Sequence, residues 1–133
     1  PDVNITLVDS LNKRINFLNM LCQKLKVESN NVHSRAEEFA RNNREKFDVA
    51  VARAVAKMNT LLEYLLPLVK VGGIVIAYKG SNIAEEFMDA DKALEILGGK
   101  ILKSIRVDLP NDYGERNIVI IEKVKEILSK HHI

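Results

Sequence analysis

One cysteine, no tryptophan, six glycines and three prolines are spread over the 133 residues of this chain. With Cys22 alone, no disulfide can close within the chain, and a reducing compartment is the simple expectation. No apolar run approaches the ~20 residues that span a bilayer, and the first residues do not resemble a signal peptide. A cytoplasmic protein is therefore expected. Charge of one sign is also scarce. Twenty Lys and Arg oppose eighteen Asp and Glu, for a net +2, and the basic residues are dispersed. That balance is compatible with a nucleic-acid partner but does not argue for one. His33 reads as structural or exposed. His131 and His132 sit in a polar tail without a third ligand, so no metal site is expected.

What is present is an ordinary globular composition, 47% apolar and 29% charged, in a chain long enough for one domain with a real core. Read for hydrophobic period, it alternates strand and helix. Residues 4–9 (NITLVD) read as a strand. Residues 11–26 form an amphipathic helix whose stripe is Leu11, Ile15, Leu18, Cys22 and Leu25, which gives Cys22 a packing role. A short strand at 31–34 and a helical turn or two at 36–43 follow. FDVAVAR (47–53) is apolar on both faces, as strands inside parallel sheets are. Residues 60–66 read as helix, with Thr60 and Glu63 at capping-box spacing and Pro67 beyond. Residues 72–79 read as another doubly buried strand. The next helix, from Ile83 to Leu97, has Asn82 as its cap and Gly98–Gly99 as its stop.

The end of the chain sets the architecture. In residues 100–109, Ile101, Ile105, Val107 and Leu109 alternate with Leu102, Ser104, Arg106 and Asp108, so one face is polar enough for a sheet edge. PNDYGE (110–115) is turn chemistry, too short for a crossover, so the following strand must return antiparallel. That strand, RNIVIIE (116–122), is nearly all apolar and belongs inside. It therefore slots between the edge strand and residues 72–79. The expected fold is α/β, a mostly parallel sheet with an antiparallel C-terminal hairpin strand, which resembles the class I, Rossmann-like methyltransferase sheet. Nicotinamide-dinucleotide domains share the alternation but run their strands parallel.

Ligands of such sheets sit outside the carboxyl ends of the strands. Asp9 ends the first strand, and Ser34-Arg35-Ala36-Glu37 follow the second. Arg53 ends the third, Lys79 the fourth, and Arg116 opens the antiparallel strand on the same rim. A carboxylate at Asp9 can accept hydrogen bonds from both hydroxyls of a ribose. It, or Ser10, could instead cap the helix beginning at Leu11. Glu37 is also suited to a helix start, where the dipole favours an acid. Arg53 leaves a strand expected to be buried on both faces, so its charge calls for a partner, either a ligand or a structural ion pair. Lys79 and Arg116, each taken singly, read as solvated strand ends.

Five blocks then carry a resemblance: VDSLNKRINFL (8–18), SRAEEF (34–39), KFDVAVARAVA (46–56), LPLVKVGGIVIAYKGSN (66–82) and ERNIVIIEK (115–123). In order, and over nearly the whole chain, they resemble the bacterial 16S rRNA guanine-N7 methyltransferase family, RsmG or glucose-inhibited division protein B. The resemblance implies S-adenosyl-L-methionine as cofactor, and 16S rRNA or the small ribosomal subunit as partner, with a guanine of the 530 loop as substrate. It implies cofactor binding by Asp9 at the ribose, Ala36 and Glu37 near the adenosine, and Arg53. For Lys79 and Arg116 it suggests the substrate side, and no residue is assigned as acid or base. Three departures stand out. The family's strand and GxGFPG turn, which cradle the methionine part, have no counterpart among Gly72, Gly73, Gly80, Gly98, Gly99 and Gly114. Asn117 stands where a histidine is more usual after Glu-Arg, and the ending KEILSKHHI lacks the basic Pro/Lys-rich tail.

The expectation is thus a methyltransferase domain over residues 1–133 that lacks its first βα unit. That unit's strand would lie between residues 4–9 and 47–53, so those two strands should show a vacancy or a foreign pairing. The alternatives are a NAD(P)-dependent Rossmann oxidoreductase and a non-catalytic RNA-binding or assembly module.

Overall fold

The computed structural model describes residues 4–9, 11–26, 28–53, 57–79, 83–108, 110 and 115–126. The chain divides into two compact units after Asn42. The first contains β1 (Thr6–Asp9), α1 (Asn12–Leu25), β2 (Asn30–His33) and α2 (Ala36–Asn42). β1 and β2 pair in parallel, from Thr6 opposite Asn30 to Asp9 opposite His33, as a helical crossover allows. The stripe expected on α1 is buried only at its centre. Ile15 is buried, Leu18 and Cys22 are half-buried, and Leu11 and Leu25 are exposed.

Polar contacts close the end of α1. Lys26 turns left-handed, and its N–H reaches the carbonyls of Cys22 and Gln23. Cys22 Sγ lies 3.2 Å from Ser29 Oγ, which donates to Asn31 Oδ1 at 2.8 Å. Asn31 Nδ2 in turn donates to Asn19 Oδ1 at 2.7 Å. The single cysteine is thus engaged in tying α1 to β2.

The second unit holds β3 (Phe47–Arg53), α3 (Met58–Leu65), a 3-10 turn (Leu66–Leu68), β4 (Val69–Lys79), α4 (Ile83–Leu97), β5 (Gly99–Asp108) and β6 (Glu115–Lys123). Its sheet order is β3-β4-β6-β5, with β3 parallel to β4 and β6 antiparallel to both neighbours. The apolar final strand does lie inside, and the polar β5 is at an edge. Val75, Ala77, Val119 and Ile121 are buried on one face. A Cβ on Gly99 would meet Leu66, Leu94 and Ile121 at 2.9–3.2 Å, which places α4 and the 3-10 turn against that face.

The vacancy expected beside β3 is seen among the described residues, and two other expectations are corrected. β3 is an edge strand among the described residues, bonded to β4 only, and Val49 and Val51 are 49% and 56% exposed. Its two apolar faces suit an interior place, but the described residues bring no strand to its other side. β1 likewise pairs only with β2. The capping box at Thr60 does not form: α3 starts at Met58, two residues earlier, from a cap at Lys57 with no side-chain bond. Burial of Met58 draws that first turn inward, and the N–H of Thr60 is met by Asn59 Oδ1 at 2.9 Å. β4 begins at Val69 rather than residue 72, because a left-handed Gly72 (φ 90°) lets the strand shift register between Phe47 and Val49 and continue. The proposed cap at Asn82 and most of the turn at 110–115 lie outside the described residues, as do the side chains of Ile83 and Phe87.

Gly98 does end α4, at φ 76°. A Cβ there would run into the Lys125 carbonyl, while the Gly98 carbonyl accepts from Val124 N–H at 2.7 Å. Left-handed strain and backbone crowding together make Gly98→Ala cost about 2–3 kcal/mol. Urea unfolding measures this, and an unchanged midpoint would contradict the close approach.

Candidate functional site

In the first unit the carboxyl ends of two parallel strands lie side by side, because Asp9 is the register partner of His33. Three residues beyond His33, Ala36 and Glu37 open α2, which packs against β1. Asp9, Ala36 and Glu37 therefore share one end of this ladder. The N-cap position of α1 is Leu11, an extended residue with no side-chain cap bond, and the side chains of Asp9 and Ser10 lie outside the described residues. Glu37 is half-buried in the first turn of α2, where the helix dipole favours its charge, and lies 3.9 Å from the Arg35 guanidinium. Ser34 Oγ bonds the Arg35 carbonyl at 3.0 Å, which helps shape the entry to α2.

In the second unit the rim is set by cross-strand register. Arg53 stands opposite Tyr78, Tyr78 opposite Ile118, and Ile118 opposite Ile105. One step further, Lys79 stands opposite Asn117, which stands opposite Arg106. Arg53 is exposed, and no ion pair to it is found among the described residues. The structural ion pair weighed for it is absent there, and its guanidinium remains available to a ligand. Arg116 is exposed as expected.

Lys79 is not the solvated strand end that its position suggested. It is 6% exposed, in phase with Val75 and Ala77 on the helix-covered face, beside a buried Asn117. Neither polar side chain is left without a partner, as burial requires. Period-two alternation from Ala77 could have revealed this.

A further charged residue went unread. Lys123, at the other end of β6, is 1% exposed. Its Nζ donates to the Val69 carbonyl at 2.9 Å and lies 3.6 Å from Glu45 Oε1. Burial lowers its pKa from the ordinary lysine value, and the Glu45 carboxylate offsets part of that effect. Its alternation with Val119 and Ile121 was the available signal. It lies away from the rim and is a structural clamp.

Among the described residues no group of three or more His, Cys, Asp or Glu could hold a metal ion. No described helix is long and apolar enough to cross a membrane. The antiparallel β6, seated between β4 and β5, departs from the all-parallel layout of nicotinamide domains.

The sequence model of a family described as rRNA small subunit methyltransferase G (GidB) matches residues 1–119. The chain belongs to that family. A curated relative from Alkaliphilus oremlandii, named ribosomal RNA small subunit methyltransferase G, is 47% identical over 134 residues. The match covers 98% of this chain and 56% of the relative, so the chain spans about half the length of such methyltransferase G proteins. An Exiguobacterium sibiricum relative of the same name is 49% identical, over 92% of this chain and 53% of its own. Among solved structures, a putative methyltransferase from Bacillus halodurans superposes with TM-score 0.72 at 13% identity, covering 92% of this chain and 84% of that one. An rRNA methylase from Streptococcus thermophilus superposes with TM-score 0.68 at 15% identity, covering 92% and 74%. These likenesses establish the α/β methyltransferase-type fold, with its mixed rather than purely parallel sheet.

Proposed function

We propose that a polypeptide carrying this sequence transfers a methyl group from S-adenosyl-L-methionine to N7 of a guanine in 16S rRNA. Membership of the methyltransferase G family, in a chain whose last strand is antiparallel and interior, carries this reading. Residues 1–133 supply part of the methyltransferase domain, without the glycine-rich turn and its strand. The substrate, free 16S rRNA or the small ribosomal subunit, places the reaction in the cytoplasm.

The side chains fit the cofactor's chemistry. A carboxylate at Asp9, the last residue of β1, has two acceptor oxygens for ribose hydroxyls. Ala36 and Glu37 sit at the start of α2, where a small residue beside a carboxylate can receive the adenosine. Arg53 presents a guanidinium with no ion pair among the described residues. On the substrate side, Arg116 is exposed and can meet a phosphate, whereas the buried Lys79 shapes the rim beneath it.

When bound, the cofactor supplies an activated methyl group on a sulfonium. Guanine N7 carries an in-plane lone pair and no proton, so the reaction needs no general base. What these residues do is hold the reactants in line and exclude water, a contribution that can be worth several powers of ten in rate.

The test uses a chimera in which residues 1–133 replace the matching segment of the Alkaliphilus oremlandii relative. It should bind S-adenosylhomocysteine and not NADH, and should restore the missing methyl group on 16S rRNA in a deletion strain. Arg53→Ala in that chimera should weaken S-adenosylhomocysteine by about tenfold or more, the ~1.5–3 kcal/mol of a charged hydrogen bond. Binding of RNA without cofactor would favour the non-catalytic module. Unchanged affinity and turnover in the Arg53 variant would remove that residue from the site.

A further inference from the structure

We infer that Tyr78 is a stacking platform for a purine base of single-stranded RNA, flanked by Arg53. The inference rests on the RNA substrate proposed above and adds the group that would hold the base. β4 is a central strand, bonded to β3 on one side and β6 on the other. Central-strand side chains are usually covered. Those of β4 on the helix side are, with Val75, Ala77 and Lys79 all buried. Tyr78 is on the other face, at the carboxyl end of the strand, and is 44% exposed.

Its neighbours define what it can hold. Across the ladder toward β3 stands Arg53, exposed and without an ion pair among the described residues. Toward β6 stands Ile118, half-buried and apolar. An aromatic ring on a sheet surface, with a cation on one side and an aliphatic wall on the other, offers a flat π-face and a delocalised charge. Bases lie on such surfaces by stacking, and a guanidinium alongside adds cation–π attraction and a phosphate contact. An anionic lipid surface would call for a cluster of cations, whereas this rung holds one ring and one cation. The two rim faces thus divide the work: Lys79 and Asn117 are buried on one, and Tyr78 and Arg53 are presented on the other.

The chain's own composition provides the probe. It has no tryptophan and three tyrosines, Tyr64, Tyr78 and Tyr113, so its intrinsic emission comes from tyrosine. A guanine-containing single-stranded RNA hexamer, titrated into the 133-residue chain, should quench that emission. An abasic hexamer of equal charge should quench it far less. Tyr78→Phe should keep the affinity measured by anisotropy of labelled RNA while losing the quench. Tyr78→Ala should weaken affinity about tenfold, as loss of one base–aromatic stack does, with unchanged circular dichroism and urea midpoint. Quenching that survives in Tyr78→Phe, equal affinity in Tyr78→Ala, or no RNA binding at all would each overturn the inference. Methylation by the chimera reads separately. An active chimera with an indifferent Tyr78 refutes the platform alone, and an inactive chimera with a Tyr78-dependent quench refutes only the methyl transfer.

Discussion

Replacing Lys123 with alanine is expected to cost about 3–5 kcal/mol of folding stability, read as a lower urea midpoint. The figure has two parts. Truncation strips three methylenes from a side chain that is 1% exposed, about 2 kcal/mol at ~0.8 per methylene. It also removes the donor to the Val69 carbonyl, and a buried acceptor left unmet costs about 1–3 kcal/mol. Glu45 is nearly half exposed, so water takes over most of its share. Lys123→Met separates the parts: it keeps the apolar volume and should show only the carbonyl's share. A loss under 1 kcal/mol in Lys123→Ala would mean that the clamp between β6 and the start of β4 is dispensable.

The same lysine predicts a pH dependence with a definite sign. Its folded-state pKa is lowered from the ordinary value of 10.5, chiefly by burial. The unfolded chain therefore binds this proton more tightly than the folded one. Stability rises with pH wherever the unfolded state binds more protons. Between the lowered pKa and 10.5, the lysine protein should gain stability relative to Lys123→Met as the pH climbs. Paired urea titrations across that range check it. A difference that stays flat or shrinks would reverse the assignment of burial as the dominant cause.

The clamp and the rim show what period and polarity reveal in this sequence. The strand order β3-β4-β6-β5 was legible because Arg106 and Asp108 mark β5 as an edge while residues 118–121 (IVII) have no polar residue to turn outward. Helix starts were less legible. Thr60 and Glu63 have the spacing of a capping box, yet burial of Met58 fixes the first turn two residues sooner. The two buried lysines, Lys79 misread and Lys123 unread, escaped for a common reason. A lysine at a strand end suggests solvent, but strand phase continues through it, and its long apolar stem can follow Ala77 or Ile121 into the core. The apolar pattern of β3 marks an interior strand, and its exposed Val49 and Val51 beside an edge left bare among the described residues fit the vacancy expected there. Of the candidate residues, Asp9, Ala36 and Glu37 fall in one unit, and Arg53, Lys79 and Arg116 in the other. Tyr78 went unread because an aromatic in an apolar strand looks like core until the register places it beside Arg53, on the face away from Val75 and Ala77.

The 133-residue chain by itself is expected to bind S-adenosylhomocysteine at least 100-fold more weakly than the chimera. On the reading proposed above, Asp9, Ala36 and Glu37 in one unit and Arg53 in the other serve the ribose and the adenosine. The amino-acid end of the cofactor is a different problem. Its carboxylate and ammonium need backbone groups at close approach, and a chain passes that close to a ligand most readily where there is no Cβ. β1 runs into α1 through Asp9-Ser10-Leu11 without a glycine, and no glycine precedes Gly72 in the sequence. Two charge-assisted hydrogen bonds forgone there, at ~1.5–3 kcal/mol each, correspond to 100-fold or more in affinity. The bare edge of β3 points the same way: it is bonded to β4 alone among the described residues, and a strand set beside it would cover Val49 and Val51. Amide exchange in β3 should therefore be fast in the isolated chain and at least tenfold slower in the chimera. Calorimetry and exchange together decide the matter. Equal affinity with a slow-exchanging β3 in the 133-residue chain would show that these residues already hold a complete cofactor site, and the proposal of a missing βα unit would fall.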